Sequence, residues 1–408
     1  MPHPTTRISR VMTKRTPSNS QQLSLPIGGT ATASSLIYEK PYVEEEDLTS
    51  RRKLKIVDLF AGIGGFHYGI SAAASRQGYG VKPLLVSEIE PSCQETYRLN
   101  HNCEVSGDIN KIALNDFAGT ADVVTAGFPC QPFSNSGLKL GLSDPRGQFY
   151  FRIAKIIEHF EAKSFILENV PGIRMNGGQL SPSKLAVRPQ MIGQTMKYLE
   201  ENLLKLRDYS VRWMEINSSD LGSPQVRKRV YIIGVHRDYG DEINLEFQQY
   251  APNQFIDVVD EVKIPELELS ENQRTNMLSF MSKPPSYKDG MRRIGNAYLC
   301  AGGNVGQGYH AYGMVPTLTK VWARFLPIYF PHGRENLPKN DLKEFEPNQH
   351  YGKGYLRRAS VREVMRLQGF PDSFVPHVSN RIAYEHAGNA VNAKIVREIA
   401  DSIFSKIL

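Results

Sequence analysis

The amino-acid sequence predicts an α/β protein with an open, Rossmann-like parallel sheet and a smaller, irregular second region. Apolar runs of strand length alternate with helical segments between residues 54 and 235. A glycine-rich turn follows the first run, and chemically reactive side chains follow several later ones. From about residue 236 to 354 this periodicity fades into a mixture of polar, glycine-rich and aromatic residues.

Composition limits the classes of protein that the chain can belong to. A length of 408 residues with 40% hydrophobic content predicts a large core and two folded regions. The net charge of +7 is compatible with a polyanionic partner. No apolar run approaches the ~20 residues of a transmembrane helix, so we expect no membrane association. The absence of C-x-x-C pairs predicts reduced thiols, a cytoplasmic setting and no metal site. The four cysteines are Cys93, Cys103, Cys130 and Cys300.

The first 50 residues are rich in Ser, Thr and Pro and carry little apolar periodicity. They predict a disordered tail. A DNA-contacting arm is the alternative, because the early part of this segment is basic.

Order is expected to begin at Leu54, with a strand through Phe60. The turn at 61–66 then leads into a helix, an arrangement that presents backbone N–H groups and a positive helix end to a ligand. The dinucleotide pattern G-x-G-x-x-G is not met, because position 67 is His. A glycine turn without function therefore remains an alternative.

Two further strand ends carry acids. The strand 84–87 ends at Glu88, more than twenty residues past the glycine turn, where an acid accepts hydrogen bonds from ribose hydroxyls. A short strand is expected around Glu104–Val105, and Asp108 after it could meet an adenine amino group. Three such positions predict an adenosine-bearing cofactor, whereas a surface glutamate is the alternative for Glu88.

A cysteine and a glutamate follow the next two strands. The run 122–126 leads into a loop where Cys130 stands between two prolines, and the run 164–167 leads to Glu168. At the ends of adjacent parallel strands the two side chains can face one pocket, as a nucleophile and an acid. The alternatives are a buried structural cysteine and a helix cap or ion pair.

A basic segment separates the sixth and seventh predicted strands, 211–217 and 230–235. Strand alternation would put Gln225, Arg227 and Arg229 on one face, which suits a phosphate or a polar base edge. A solvated run of charges is the alternative.

Helices are expected at 149–157, at 191–206 and towards the C-terminus. Ser360 and Glu363 form a capping-box pattern at the start of one helix. The last helix is amphipathic, with Ile395, Val396 and Ile399 on its apolar face.

Taken together, these segments resemble the DNA (cytosine-5)-methyltransferase family, of the bacterial restriction-modification type. The resemblance covers 54–235 and 355–408, and its blocks follow the family's order. The blocks are DLFAGIGGF from Asp58, GFPCQPFS from Gly127, ENV from Glu168, QVRKR from Gln225, RE and GFP from Arg362 and Gly369, and GNAV from Gly388.

The resemblance implies a Rossmann-like methyltransferase sheet that binds S-adenosylmethionine and methylates C5 of a flipped-out cytosine in double-stranded DNA. It also implies a catalytic domain at 51–235, a target-recognition domain at 236–354 and a return to the catalytic domain at 355–408. A Thr-Leu pair near the end of the recognition domain is typical of the family, and here it is Thr317-Leu318.

Site residues carried over from the resemblance fall into three groups. The catalytic group is Cys130, Glu168, Arg227 and Arg229. The cofactor group is Phe60, Gly62, Gly64, Gly65, Glu88, Ile89, Asp108, Ile109, Asn389 and Val391. The DNA group is Gln225, Arg292, Arg293, Thr317 and Leu318. Ile89 departs from the pattern, since an aromatic residue often stacks on adenine there.

Other functions remain open from sequence alone. An RNA (tRNA) cytosine-5 methyltransferase of the same fold and a catalytically silent DNA-binding module are the alternatives. A thiol hydrolase would need a histidine partner for the cysteine, and no motif supplies one. We expect a monomer associated with the nucleoid through DNA, with a cognate restriction endonuclease as a possible partner on the same site.

Overall fold

A computed structural model describes the sheet-forming core and parts of the region between its two segments. The longer described ranges are 52–129, 149–174, 208–240 and 355–408. The shorter ones are 242–243, 245, 247, 253, 255–260, 263–275, 309–310, 315–320 and 323–330. The expected tail at 1–50 and the expected helix at 191–206 lie outside these ranges.

The described residues form strands of very different lengths. In chain order the strands are β1 (Lys53–Leu59), β2 (Gly80–Ser87), β3 (Val123–Ala126), β4 (Ser164–Asn169), β5 (Tyr209–Asn217), β6 (Gln225–Val226), β7 (Lys228–His236), β8 (Tyr309–His310), β9 (Val315–Pro316), β10 (Pro327–Phe330) and β11 (Tyr355–Arg358). The helices are α1 (Gly65–Arg76), α2 (Pro91–His101), α3 (Phe149–His159), α4 (Val361–Leu367), α5 (Asn380–Asn389) and α6 (Ala393–Ile407).

A six-stranded sheet in the order β2-β1-β3-β4-β7-β5 organises the molecule. Strands β1 to β4 pair in parallel, and their apolar residues are buried on both faces, as parallel strands require. Strand β7 runs antiparallel to both β4 and β5. The start of β7 therefore lies beside the carboxyl end of β4. The predicted α/β fold with a mainly parallel sheet is confirmed.

Helices cover both faces of this sheet. Leu54 and Ile56 of β1 pack with α1 and α6, whereas Val57 and Leu59 pack with α3 on the other face. This division follows from the alternation of side chains along a strand. The apolar face expected for the last helix forms, because Ile395, Val396 and Ile399 are all fully buried. The C-terminal helix thus packs against the first helix of the core.

Two small sheets and a capped helix lie between these elements. Strands β6 and β9 form a parallel pair, and β8, β10 and β11 form a three-stranded sheet. The predicted capping box at the start of α4 is confirmed, with reciprocal hydrogen bonds between Ser360 and Glu363. Nowhere in the described part of the chain is a helix both long enough and apolar enough to span a bilayer.

The prediction of a strand around Glu104–Val105 is wrong. In its place Ser106 forms a single parallel bridge with Ser87, and its N–H donates to the Val86 carbonyl at 2.8 Å. The chain then turns at once, because Asp108 caps the 3₁₀ turn Ile109–Lys111 by accepting from the Asn110 N–H at 3.0 Å. A segment that turns so soon cannot extend the ladder.

Candidate active site

The glycine turn and the acid at the end of β2 meet in a direct contact. The Glu88 carboxylate accepts a hydrogen bond from the Gly62 N–H at 2.8 Å and another from the Glu90 N–H at 2.8 Å. Phe60, Gly62 and Gly64 all adopt positive φ values, so the turn is left-handed at three points. Glycine makes this conformation possible at two of them, and Phe60 is held there at φ 53° despite its side chain.

Residues expected to hold the adenosine line the same edge of the sheet. Asp108 and Ile109 follow the bridge between Ser106 and Ser87; Asp108 is half-buried and Ile109 is buried. Ile89 leaves 69% of its side chain exposed. An exposed isoleucine next to Glu88 offers an apolar surface on which a purine can pack.

The C-terminal segment reaches the glycine turn. Val391 packs so closely on Gly65 that a Cβ on this glycine would lie 2.7 Å from the Val391 carbonyl oxygen. Asn389, the last residue of α5, is exposed. The two ends of the core therefore meet where the cofactor residues are expected.

These residues fit S-adenosylmethionine. Glu88 suits ribose hydroxyls, and the positive end of α1 begins at Gly65. A Cβ at Gly62 would find none of the described residues within 4 Å, which leaves room for a ligand against the backbone. The glycine turn, Glu88 and Val391 are thus brought together at the ends of β1 and β2.

A buried polar network supports the glycine turn from below. Asp58 is fully buried and accepts hydrogen bonds from Thr125 Oγ1 at 2.8 Å and from Tyr97 Oη at 3.2 Å. Tyr97 Oη also bonds to His67 Nδ1 at 2.8 Å, and the His67 ring stacks on His101. Burial raises the pKa of Asp58 to about 7, the Thr125 and Tyr97 hydrogen bonds oppose this, and the charge of Glu88 adds to it. Burial lowers the pKa of His67 to about 3.

The acid expected to act on the base forms an ion pair. Glu168 Oε1 lies 2.8 Å from Arg229 Nε, and each side chain is only 13% exposed. Glu168 stands at the end of β4, and Arg229 lies near the start of the antiparallel strand β7. Glu168 Oε2 lies 3.8 Å from the position of a Cβ on Gly127, at the end of β3. The carboxylate therefore faces the start of the loop that leads to Cys130.

Asn169 holds that loop and was missed as a functional residue. Its Nδ2 donates to the Phe128 carbonyl at 3.2 Å, and its side chain is 2% exposed. Its Oδ1 accepts from the Val170 N–H at 2.9 Å. The sequence signal was present, because Asn169 directly follows Glu168 at a strand end.

Gln225, Arg227 and Arg229 do not lie on one continuous strand, because the chain passes at Arg227 from the β6–β9 pair into the main sheet. Their expected shared face stays a prediction. Gln225 is fully buried, and Arg229 pairs with Glu168. Arg227 is 2% exposed, and two of its guanidinium nitrogens donate to the carbonyls of Leu318 and Ala390. This geometry fits the expected catalytic role of Arg227 poorly.

Thr317 and Leu318 also face inward. Thr317 Oγ1 donates to the Val226 carbonyl at 2.9 Å, and the Leu318 side chain belongs to a buried apolar cluster. These contacts hold both residues against the core, and their expected contact with DNA stays a prediction. Cys130, Arg292 and Arg293 lie outside the described residues.

Known proteins are similar to this chain over most of its length. The profile of the C-5 cytosine-specific DNA methylase family matches residues 54–405. The chain is 32% identical to the Type II methyltransferase M.DsaV of Dactylococcopsis salina over 88% of each chain. It is 30% identical to M.HaeII of Haemophilus aegyptius over 87% of this chain and 94% of that one.

A solved structure has the same fold. The Entamoeba histolytica methyltransferase EhMeth superimposes with a TM-score of 0.61 at 16% sequence identity, over 88% of this chain and all of that one. The family and the fold together imply a methyltransferase that uses S-adenosylmethionine. The chain belongs to the C-5 cytosine-specific DNA methylase family, and its activity is that of a DNA (cytosine-5)-methyltransferase.

Asp58 should give the stability of the protein a specific pH dependence. Its pKa is about 7 when folded, against the ordinary aspartate value of 3.8, so between these pH values the folded protein keeps a proton that the unfolded chain releases. The stability that Asp58 contributes is therefore present at low pH and is lost as pH rises towards 7. Asp58→Asn cannot ionise and lacks this dependence.

Denaturant unfolding of wild type and Asp58→Asn at several pH values measures the effect. The wild-type free energy of unfolding, relative to that of the variant, should fall by on the order of 4 kcal/mol between pH 4 and 8. Asp116→Asn, at an exposed position, is the control. A difference between wild type and Asp58→Asn that stays constant with pH would contradict this prediction.

Proposed function

We propose that the protein methylates C5 of a flipped-out cytosine within a specific double-stranded DNA sequence, with Cys130 as the covalent nucleophile. The observation that carries the proposal is the Glu168–Arg229 pair. It lies beside Gly127, and Cys130 follows Gly127 by three residues. An acid and a fixed cation beside the loop of a cysteine are what an attack on a pyrimidine ring requires.

The reaction begins with the Cys130 thiolate, which forms a bond to C6 of the cytosine. The electrons of the C5–C6 double bond shift to C4–C5, and those of the C4–N3 double bond shift to N3. Glu168 donates a proton or a hydrogen bond to N3 as charge develops there. Arg229 holds Glu168 in place at 2.8 Å and stabilises the thiolate and the adduct.

The ring then becomes nucleophilic at C5. When bound, S-adenosylmethionine supplies the electrophilic methyl group that C5 takes. Loss of the C5 proton to a basic acceptor re-forms the C5–C6 double bond and expels the Cys130 thiolate. A proton that N3 took from Glu168 returns to it, which leaves 5-methylcytosine and the starting form of Glu168. Because C6 is inaccessible in a stacked duplex, the base must leave the helix, at a cost of a few kcal/mol that backbone contacts offset.

We assign cofactor contacts to the crevice at the ends of β1 and β2. Glu88 would hold the ribose, Asp108 the adenine amino group, and Ile89 the face of the purine. Phe60, Gly62, Gly64, Gly65, Ile109, Asn389 and Val391 would line the remainder. The support is their shared position, with Glu88 bonded to the glycine turn and Val391 packed on Gly65.

We also propose that residues 236–354 form the target-recognition domain and that Arg292 and Arg293 contact DNA. The net charge of +7 and the scattered Lys and Arg of this segment support contact with a polyanion. Relatives at about 30% identity are named Type II methyltransferases. We therefore extend the proposal to a monomeric modification enzyme paired with a restriction endonuclease that cuts the same site.

Expression of the protein in a host free of cytosine methylation tests the reaction and its nucleophile together. We expect 5-methylcytosine at one DNA sequence in cells with wild-type protein and none in cells with Cys130→Ala, because the alanine cannot add to C6. Positions are read by bisulfite sequencing of both genomic DNA and tRNA. Duplexes with 5-fluorocytosine at the site should trap a covalent adduct with wild type, since fluorine blocks the last elimination.

Cys103→Ala is the matched control, because Cys103 lies in a loop after α2 and has no role in the proposed reaction. It should methylate and trap DNA as wild type does. Methylation of tRNA without DNA would replace the proposed substrate. A Cys130→Ala protein that still methylates near the wild-type rate would remove Cys130 from the mechanism.

Sequence specificity should follow the segment 236–354. Replacing it with the corresponding segment of a family member that has another target should move the methylated site, because the catalytic blocks are shared within the family. Within the segment, Arg292→Ala should cost about 1–3 kcal/mol at one base pair if the arginine reads a guanine. Alternatively it should weaken binding to all sequences alike if it meets phosphate. An active chimera that keeps the original site would place recognition elsewhere.

A further inference from the structure

A short segment inside the proposed recognition domain is fixed to the core over its whole described length. We define residues 315–320 as the strap. The Val315 N–H donates to the Pro224 carbonyl at 2.8 Å, and β9 pairs in parallel with β6. Thr317 Oγ1 adds a hydrogen bond to the Val226 carbonyl at 2.9 Å. The strap therefore runs beside the residues that immediately precede β7.

Arg227 holds the middle of the strap. Its Nη1 donates to the Leu318 carbonyl at 2.9 Å, and its Nη2 donates to the Ala390 carbonyl at 2.8 Å. The side chain is 2% exposed, so these bonds form away from water. A planar guanidinium can serve two carbonyls at once, whereas a lysine ammonium is a single point of charge. One side chain thus joins the strap to the segment after α5.

The backbone of Arg227 is itself fixed. Its N–H donates to Ser218 Oγ at 3.1 Å, and its carbonyl accepts from the Ser218 N–H at 3.0 Å. Two residues later, Arg229 pairs with Glu168 at 2.8 Å. The strap and the proposed catalytic pair are therefore both attached to the short segment 227–229, whose backbone is held by two hydrogen bonds to Ser218.

Helix α5 contacts the strap directly through a glycine. A Cβ on Gly388 would lie 2.4 Å from the Thr319 carbonyl oxygen and 2.6 Å from the Lys320 nitrogen. No side chain fits this contact, so any residue other than glycine must displace the strap backbone. Arg227 and Gly388 thus fix the position of the strap through independent contacts.

We propose that Arg227 is a positioning residue that, together with Gly388, fixes the strap relative to the Glu168–Arg229 pair. The inference rests on the proposed function, because it assigns the region that contains the strap to DNA recognition. A strap fixed in this way keeps a recognised sequence in register with the pocket that takes the cytosine. Arg227 then acts through the position of the strap, and Arg229 acts on the reacting groups.

Steady-state kinetics of Arg227→Met and Gly388→Ala test the proposal on the site mapped for wild type. Both variants should raise KM for cognate DNA, and both should lower the ratio of rates on cognate and one-base-changed duplexes, each by about 10-fold. The kcat at saturating cognate DNA should change far less. Arg227→Lys keeps the positive charge but lacks the planar guanidinium that bonds two carbonyls at once. Its KM and its discrimination should lie between those of wild type and Arg227→Met.

Arg76→Met is the matched control, because it removes an arginine whose ion pair with Asp401 is largely exposed. It should leave KM and discrimination at wild-type values. A purely structural role for Arg227 would lower the thermal midpoint while KM and discrimination stay normal, and it would overturn the proposal. A catalytic role would lower kcat alone and would also overturn it.

Two results keep this test separate from the test of the proposed function. A wild-type protein that methylates no DNA would overturn the proposed function before any variant is compared. If Arg227→Met does not fold, Gly388→Ala and Arg227→Lys carry the test. Normal KM and discrimination in both of them would overturn the proposal.

Discussion

The ion pair between Glu168 and Arg229 depends on one reversal of strand direction. Strands β1 to β4 run in parallel, so their carboxyl ends meet at one edge of the sheet. Strand β7 runs the other way beside β4, and its first residues return to that same edge. A fully parallel sheet would place the start of β7 at the far end, and Glu168 would have no arginine partner from this strand. The proposed catalytic pair is therefore a consequence of sheet topology.

Both ends of the core complete the crevice. The turn after β1 takes its left-handed conformation at Gly62 and Gly64, and Glu88 accepts the Gly62 N–H. The C-terminal segment closes over the same turn, with Val391 against Gly65. Below it, Asp58 and Tyr97 bridge β1, β3 and α2 without exposure to water. The glycine turn, Glu88 and Val391 are far apart in sequence, so they come together only when the chain folds.

Local sequence signals predicted the elements of this fold well. Buried runs located the strands of the main sheet, the S-x-x-E pattern located the start of α4, and the apolar period located the buried face of α6. The false strand near Glu104 shows the limit of such signals. The short segment before Gly107 could not reveal that Asp108 turns the chain after a single bridge.

Long-range packing decided what local signals could not. Arg227 and Arg229 stand two residues apart in one basic segment, yet one bonds to Leu318, 91 residues away, and the other to Glu168. No local pattern separates them, because the difference depends on the β6–β9 pair. The buried hydrogen bond between Asp58 and Tyr97, 39 residues further along the chain, could not be predicted from local sequence either. The sequence could have identified Asn169 as a candidate site residue, because it lies at the same strand end as Glu168.

The single-turnover rate of methyl transfer by Glu168→Gln, at saturating DNA, tests the central claim most directly. Glutamine keeps the shape of the side chain and can still contact Arg229, but it cannot donate a carboxyl proton to N3. We expect the rate to fall about 10²–10⁴-fold, the range of general acid catalysis, with the dissociation constant for DNA nearly unchanged. A wild-type rate in Glu168→Gln would show that the Glu168–Arg229 pair only stabilises the end of the sheet, and it would contradict this account.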